Sequence, residues 1–301
     1  MSANTPAETQ QLTATERAER QRAVVQALGR VLPADAILYT PEDTTPYECD
    51  GLTAYRERPL VVALPETESQ VQAVLKTCHA LGVPVVARGA GTGLSGGAMP
   101  HKLGVTLSMA KFNQIVKIDP LSRTAVVQCG VRNLAISEAA SPHGLYYAPD
   151  PSSQIACTIG GNVAENSGGV HCLKYGLTLH NVLKVKGFTI EGDAITFGSD
   201  ALDTSGFDLL AVLVGSEGML AITTEVTVKL VPKPQIARCI MASFDDMRKA
   251  GDAVAAVIAA GIIPAGLEMM DKLMEGMGKD SHEGWGDSEN VSEEDRQLGA
   301  R

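Results

Sequence analysis

PVVARGAGTGLSGGA, residues 84–98, sets the reading of the whole chain. The apolar run Pro84 to Ala87 reads as a short buried strand that ends at Arg88. The loop that follows carries glycines at 89, 91, 93, 96 and 97. Glycine tolerates positive φ and lets backbone amides approach a ligand closely. Successive amides of this kind form an anion-binding nest, and Arg88 adds a fixed positive charge beside it. The stretch therefore reads as a phosphate or pyrophosphate cradle; the competing reading is a glycine-rich turn that holds no ligand.

Gly91-Thr-Gly93-Leu-Ser-Gly96 also matches G-x-G-x-x-G, the dinucleotide fingerprint. That fingerprint works only with a strand before it and a helix opening directly after it. The strand is present, but residues 97–108 (GAMPHKLGVTLS) contain Gly97, Pro100 and Gly104. A helix through Pro100 and Gly104 would cost roughly 3 and 1 kcal/mol at those positions. Asp119 lies where a ribose-binding acid would be sought, but the helix needed between them is missing. A nicotinamide-dependent Rossmann dehydrogenase is excluded on this ground.

At 301 residues the prior is two domains, and 45% hydrophobic residues are enough for a sizeable core. The net charge of −10 excludes broad nucleic-acid binding, and 4% aromatics with a single tryptophan exclude base-stacking platforms. The six cysteines (49, 78, 129, 157, 172, 239) form no C-x-x-C pair, which fits a reducing cytoplasm. No apolar leader opens the chain, and no run reaches the roughly 18 apolar residues of a membrane span. The expectation is a cytoplasmic protein that meets a membrane only through partners.

Glu16 to Leu32 has the apolar spacing of an amphipathic helix stopped by Pro33. Residues 33–58 are loop-rich. Leu60 to Leu64 reads as a buried strand, and Thr67 as the N-cap of a helix running to Gly82. This β-α-β unit hands the chain to the glycine loop. From 104 to 129 three β-type runs (GVTLSM, NQIVKID, TAVVQC) read as a mixed or antiparallel meander, and Val131 to Ala140 as a helix. Residues 181–197 read as a hairpin turning at 191–193, and Leu220 to Leu230 as a strand. The Pro232-Lys-Pro234 break then marks a domain boundary. Beyond it a strand (Arg238 to Phe244) and a helix (Asp245 to Ala260) are expected.

A second informative stretch is 149–169, PDPSSQIACTIGGNVAENSGG. Pro149 and Pro151 stiffen a loop. Gly160-Gly161 and Gly168-Gly169 flank a segment with Asn162, Asn166 and Ser167, as a backbone wall against a flat, hydrogen-bonding ligand requires. A glycine-rich packing turn is the alternative. His171, Cys172 and His180 follow, but their spacing fits no zinc pattern, and no metal site is assigned.

Taken with GSEGMLAIT (215–223), these stretches make an ordered trio that resembles the FAD-binding domain of the vanillyl-alcohol-oxidase/PCMH flavoprotein superfamily. Within it the chain is most similar to glycolate oxidase D subunits and FAD-linked D-lactate (D-2-hydroxyacid) dehydrogenases, over roughly residues 20–270. The resemblance implies an α+β fold: a PCMH-type domain of two α/β subdomains clasping FAD, then the start of a ferredoxin-like cap. It divides the chain into a disordered 1–20, an FAD-binding domain at 21–233, the beginning of a cap at 234–274 and an acidic tail at 275–301. The implied pyrophosphate contacts are Arg88, Gly89, Ala90, Gly91, Thr92, Gly93 and Leu94. Thr158, Gly160, Gly161, Ala164, Asn166 and Gly169 would form the wall along the ribityl chain and isoalloxazine, and Pro149, Asp150 and Ser152 also belong to the implied cofactor-binding set. Glu217, Gly218 and Ile222 would lie near the adenosine half. Some relatives tether FAD through a histidine in the first loop; Thr92 stands at the comparable position here, so the flavin is expected to be non-covalent.

The implied reaction is oxidation of a small 2-hydroxy acid to the 2-oxo acid by hydride transfer to FAD. Implied partners are a second flavin-domain subunit and an iron–sulfur subunit at the inner membrane face. Relatives carry an H-x-G-D-G-N-x-H type motif in the cap, which this chain lacks; His282 is its only histidine past residue 180. No catalytic residue is therefore assigned, the chain reads as lacking most of a cap, and a non-catalytic FAD-binding module is the alternative function.

Overall fold

The computed structural model describes residues 13–200 and 206–269. The chain divides into two compact units, residues 1–238 and 239–301. The first opens with helix α1 (Ala14–Leu28), which starts inside the stretch expected to be disordered. Its first turn is closed by reciprocal bonds between Thr13 and Glu16, a capping box that satisfies otherwise orphaned amides. The helix ends at Gly29, a turn before Pro33.

A four-stranded sheet follows, in spatial order β1-β2-β4-β3. It is built from β1 (Ile37–Leu38), β2 (Val61–Ala63), β3 (Val85–Arg88) and β4 (Val105–Ser108). Strands β2, β4 and β3 run parallel, while β1 pairs antiparallel with β2. Between β1 and β2 lies a one-turn helix α2 (Pro41–Thr44), and α3 (Glu68–Ala80) connects β2 to β3. Thr67 caps α3 as expected, its hydroxyl accepting from the Gln70 amide at 3.2 Å. Val71, Val74, Leu75 and Cys78 recur at helical spacing on the buried face of α3, where they join Leu60, Val61, Val105 and Leu107 in one core. Two readings change here. GVTLSM is the inner strand β4 rather than part of a meander, because its four consecutive buried residues suit a position between two parallel neighbours. Strand β3 is an edge strand and only half-buried along its length.

The second sheet is antiparallel throughout, in order β5-β6-β10-β8-β9. Its strands are β5 (Ile115–Asp119), β6 (Thr124–Gln128), β8 (Val182–Phe188), β9 (Ala194–Gly198) and β10 (Ile222–Lys229). Strands β8 and β9 form the expected hairpin, with Gly192 at φ +80° in the turn. A two-residue β7 (Leu145–Tyr146) pairs with β11 (Val231–Pro232). Helices α4 (Asn133–Ala140), α5 (Ile159–Glu165), the single turns α6 (Cys172–Tyr175) and α7 (Thr178–Asn181), and α8 (Leu209–Leu213) complete this lobe. Ile136, Ile159, Val163, Val185 and Val226 form its core. Cys129, Phe188 and Ile222 of this lobe belong to the first core instead, so the two lobes meet along a shared apolar seam.

In the second unit, α9 (Met247–Ala259) matches the expected helix. The strand expected at Arg238 to Phe244 is absent: these residues are exposed and, among the described residues, pair with no strand. A β-type run forms a strand only where a neighbour completes its hydrogen bonds. The acidic stretch 275–301 lies outside the described residues.

Candidate functional site

The glycine loop is itself the crossover from β3 to β4. Parallel neighbours are usually joined by a helix, but residues 89–104 make this connection without one. Gly91 and Gly96 have φ of +70° and +79°, conformations in which L side chains are strained. Arg88 braces the loop from behind: its Nη1 donates to the Cys49 carbonyl at 2.8 Å and lies 3.5 Å from that of Ala98. The guanidinium also lies 5.6 Å from the centre of the Tyr47 ring, and burial lowers its affinity for its proton. A side chain on Gly91 would run into this guanidinium.

The second wall is helical where the sequence suggested a loop. Residues 159–165 form α5, which seats Gly160 against Cys129: the Gly160 amide donates to the Cys129 carbonyl at 2.8 Å. A Cβ on Gly160 would stand 2.7 Å from the Cys129 Cβ. Thr158 precedes the helix, and a Cβ on Gly89 would overlap its hydroxyl, so the two walls touch there. At the far end Asn166 takes the left-handed conformation, φ +54°. The 215–218 turn then packs on α5: the Gly215 amide donates to the Val163 carbonyl and the Glu217 amide to that of Ala164, both at 2.8 Å. Glu217 is also left-handed, at φ +54°, an unfavourable setting for glutamate. A Cβ on Gly97 would stand 2.7 Å from its carboxylate.

These three segments enclose a cleft of about 380 Å³ at the seam between the lobes, within the usual range for a small-molecule site. Of the residues named from sequence, Arg88 through Leu94, Ser152, Thr158, Gly160, Gly161, Ala164, Glu217, Gly218 and Ile222 line it. Pro149, Asp150, Asn166 and Gly169 do not, and each has another task. The Pro149 carbonyl accepts from the buried Asn133 amide at 2.9 Å, and Asn133 in turn accepts from Asn162 at 2.9 Å. Asp150 pairs with the His171 ring at 2.5 Å, and a Cβ on Gly169 would strike the Asp150 backbone. Asn166 accepts from the Leu179 amide at 3.0 Å, tying α5 to α7.

Asn162 and Ser167, singled out from sequence, line the cleft, whereas Glu165 and Cys129, which also line it, were missed. Read as a helix, α5 would have offered Glu165: Thr158, Gly161 or Asn162, and Glu165 recur at three- and four-residue intervals on one face. Three charged side chains line the cleft among the described residues, namely Arg88, Glu165 and Glu217. The Glu165 carboxyl is held above the usual range, first by burial and then by the charges of Glu217 and Asp50. Burial also pushes the Cys129 thiol up to about 12, which leaves it unreactive.

The lining suits a flavin dinucleotide. The Thr158 hydroxyl is buried and has no partner among the described residues, and it opens onto a cradle that glycine side chains would fill. Backbone amides, one arginine and the apolar Met109, Cys129 and Ile222 supply anion and ring contacts side by side.

Known proteins place the chain further. Residues 59–198 match the model of the FAD binding domain, and residues 233–292 match that of the FAD linked oxidases, C-terminal domain. The second match runs into the acidic stretch read above as a tail. The glycolate oxidase subunit GlcD of Escherichia coli (strain K12) is 66% identical over 250 residues, covering 83% of this chain and 50% of the relative. GlcD of Bacillus subtilis (strain 168) is 43% identical over 75% of this chain and 48% of its own length. The D-lactate dehydrogenase of Archaeoglobus fulgidus is 38% identical over 70% of this chain and 47% of its own. The chain thus spans about half the length of the relatives it matches. Among solved structures, an alkyldihydroxyacetonephosphate synthase has the same fold (TM-score 0.69, 21% identity) over 81% of this chain and 47% of that one. A BBE-like protein of Physcomitrella patens matches at TM-score 0.61 and 21% identity, over 69% of this chain and 44% of that one.

Proposed function

Because this chain belongs to the family of FAD-linked oxidases, we propose that it holds the flavin of an oxidoreductase that converts a small 2-hydroxy acid to the 2-oxo acid. The observation that carries the reading is the cleft itself, where the glycine loop, the Thr158–Glu165 wall and the 215–218 turn converge on one seam. FAD, when bound, accepts the substrate's α-hydrogen as hydride. The chain's part is to bind, orient and exclude water. Backbone amides from Gly89 to Leu94 hold the pyrophosphate, and the buried Thr158 hydroxyl provides a hydrogen bond. Met109, Cys129 and Ile222 keep the deep end dry.

The attachment is non-covalent. Thr92 stands at the tethering position, no histidine is among the described lining residues, and the Cys129 and Cys157 thiols are held protonated by burial. The names of the relatives support glycolate or D-lactate as substrate. The word subunit in the name of GlcD supports assembly with further chains. In our reading these are the second flavin-domain chain and the iron–sulfur chain that the family resemblance implies, carrying electrons onward at the cytoplasmic face of the membrane. Among the described residues, no helix is long and apolar enough to cross one.

A second reading assigns the substrate side to another polypeptide, with this one serving as a flavin module. It is the alternative that the cleft leaves open, since no catalytic residue is assigned among its described lining residues. Anaerobic addition of glycolate or D-lactate to the flavin-loaded chain separates the two. Bleaching of the flavin bands supports the complete half-reaction, and flavin that stays oxidised supports the module.

A further inference from the structure

Glu165 and Glu217 stand against the loop that the proposed function gives to the pyrophosphate. A side chain on Gly93 would overlap the Glu165 carboxylate, and one on Gly97 would stand 2.7 Å from that of Glu217. Asp50 adds a third carboxylate in the same neighbourhood. It is 5% exposed, its Oδ1 accepts from the Leu52 amide at 2.9 Å, and its buried Oδ2 has no partner among the described residues. Against these, the described lining offers one cation, Arg88, whose guanidinium is already committed in part to the Cys49 and Ala98 carbonyls.

The cleft lining thus carries more negative than positive charge where a dianionic ligand enters. A partly desolvated carboxylate beside an incoming phosphate must either move away or lose its charge. Glu165 is placed to lose it. It closes α5 beneath the loop, faces Glu217 from the 215–218 turn and Asp50 from the 50–52 turn, and has no cation partner among the described residues. The other titratable group facing it is the Cys157 thiol, which burial keeps protonated.

We propose that Glu165 is a proton-linked positioning residue of the flavin site, taking up one proton from solvent as the pyrophosphate settles on the glycine loop. The inference rests on the flavin reading and adds a property to it. The sign follows from linkage: the loaded site holds one more proton than the empty one, so flavin affinity falls as pH rises. The fall reaches about tenfold per pH unit between the pKa values of the empty and loaded states. A neutral Glu165 also keeps a donor that can turn toward a ligand oxygen, which its ionised form lacks.

The test is calorimetric titration of the flavin-free full chain with FAD, in buffers of differing ionisation enthalpy, from mildly acidic to mildly alkaline pH. Wild type is expected to take up close to one proton per FAD and to bind more weakly as pH rises. Glu165→Gln, isosteric and neutral, is expected to take up none, to lose the pH slope, and to bind more tightly than wild type at the alkaline end. Wild type binding with no proton uptake overturns the proposal, as does an unchanged slope in Glu165→Gln. If the variant does not fold, proton uptake by wild type alone decides. A wild-type chain that binds no FAD at any pH overturns the flavin reading instead, and this inference with it.

Discussion

Gly91 holds φ +70° with the Arg88 guanidinium packed where a side chain would stand. Valine there meets both obstacles, since a β-branched residue at positive φ is strained and its methyls displace the arginine that braces the loop. Gly91→Val is expected to lose FAD on desalting while keeping a helix and sheet content close to wild type by circular dichroism. Glu165 makes a second prediction. Its carboxyl is held above the ordinary value by burial and by Glu217 and Asp50. The folded chain therefore binds a proton more readily than the unfolded one, and stability is lost as pH rises through the folded value. Glu165→Gln is expected to melt above wild type at neutral pH and level with it in acid, below the ordinary carboxylate range. An equal difference at both pH values would show that the charge is not the cause. The glycines, Arg88 and Glu217 were legible because their residue types carry the chemistry. Glu165 was not, because its role comes from what the fold sets beside it.

Whole elements were legible where one local signal agreed with the packing. Thr67 and Gln70 announce the start of α3, and the apolar spacing from Val71 to Cys78 gives its buried face. Thr67→Ala removes that cap and is expected to cost about 1 kcal/mol in chemical denaturation. Helix α5 was missed because Gly160 and Gly161 argue against a helix by about 1 kcal/mol each. Close packing of Gly160 on Cys129 overrides that local preference, for only a residue without a side chain fits there. Strand β4 was read as part of a meander because its partners, β2 and β3, precede the glycine loop, whereas the β-type runs next to it in sequence follow it. Residues 238–244 failed in the opposite sense: the β-type pattern is present, and no partner strand is found among the described residues.

At the scale of the molecule, the function depends on two lobes meeting. The cleft takes one wall from the loop after the parallel sheet and the other from α5 and the 215–218 turn of the antiparallel lobe. Leu107 lies fully buried on the inner strand β4. Leu107→Ala is expected to destabilise the first unit by about 2–5 kcal/mol, with flavin lost along the same denaturation curve as the sheet. Flavin that outlasts the sheet would place the site elsewhere. The trio of motifs made this architecture legible through family resemblance. The composition of the seam was not, since Cys129, Phe188 and Ile222 join a core built mostly from residues far earlier in the chain.

The most direct test is the absorption spectrum of the purified chain after incubation with FAD and desalting, set beside Gly91→Val. Flavin bands at one FAD per wild-type chain, released by denaturation without a covalent tether, are expected, and none on the variant. A wild-type chain that leaves the column colourless, or a variant that stays equally yellow, would contradict it.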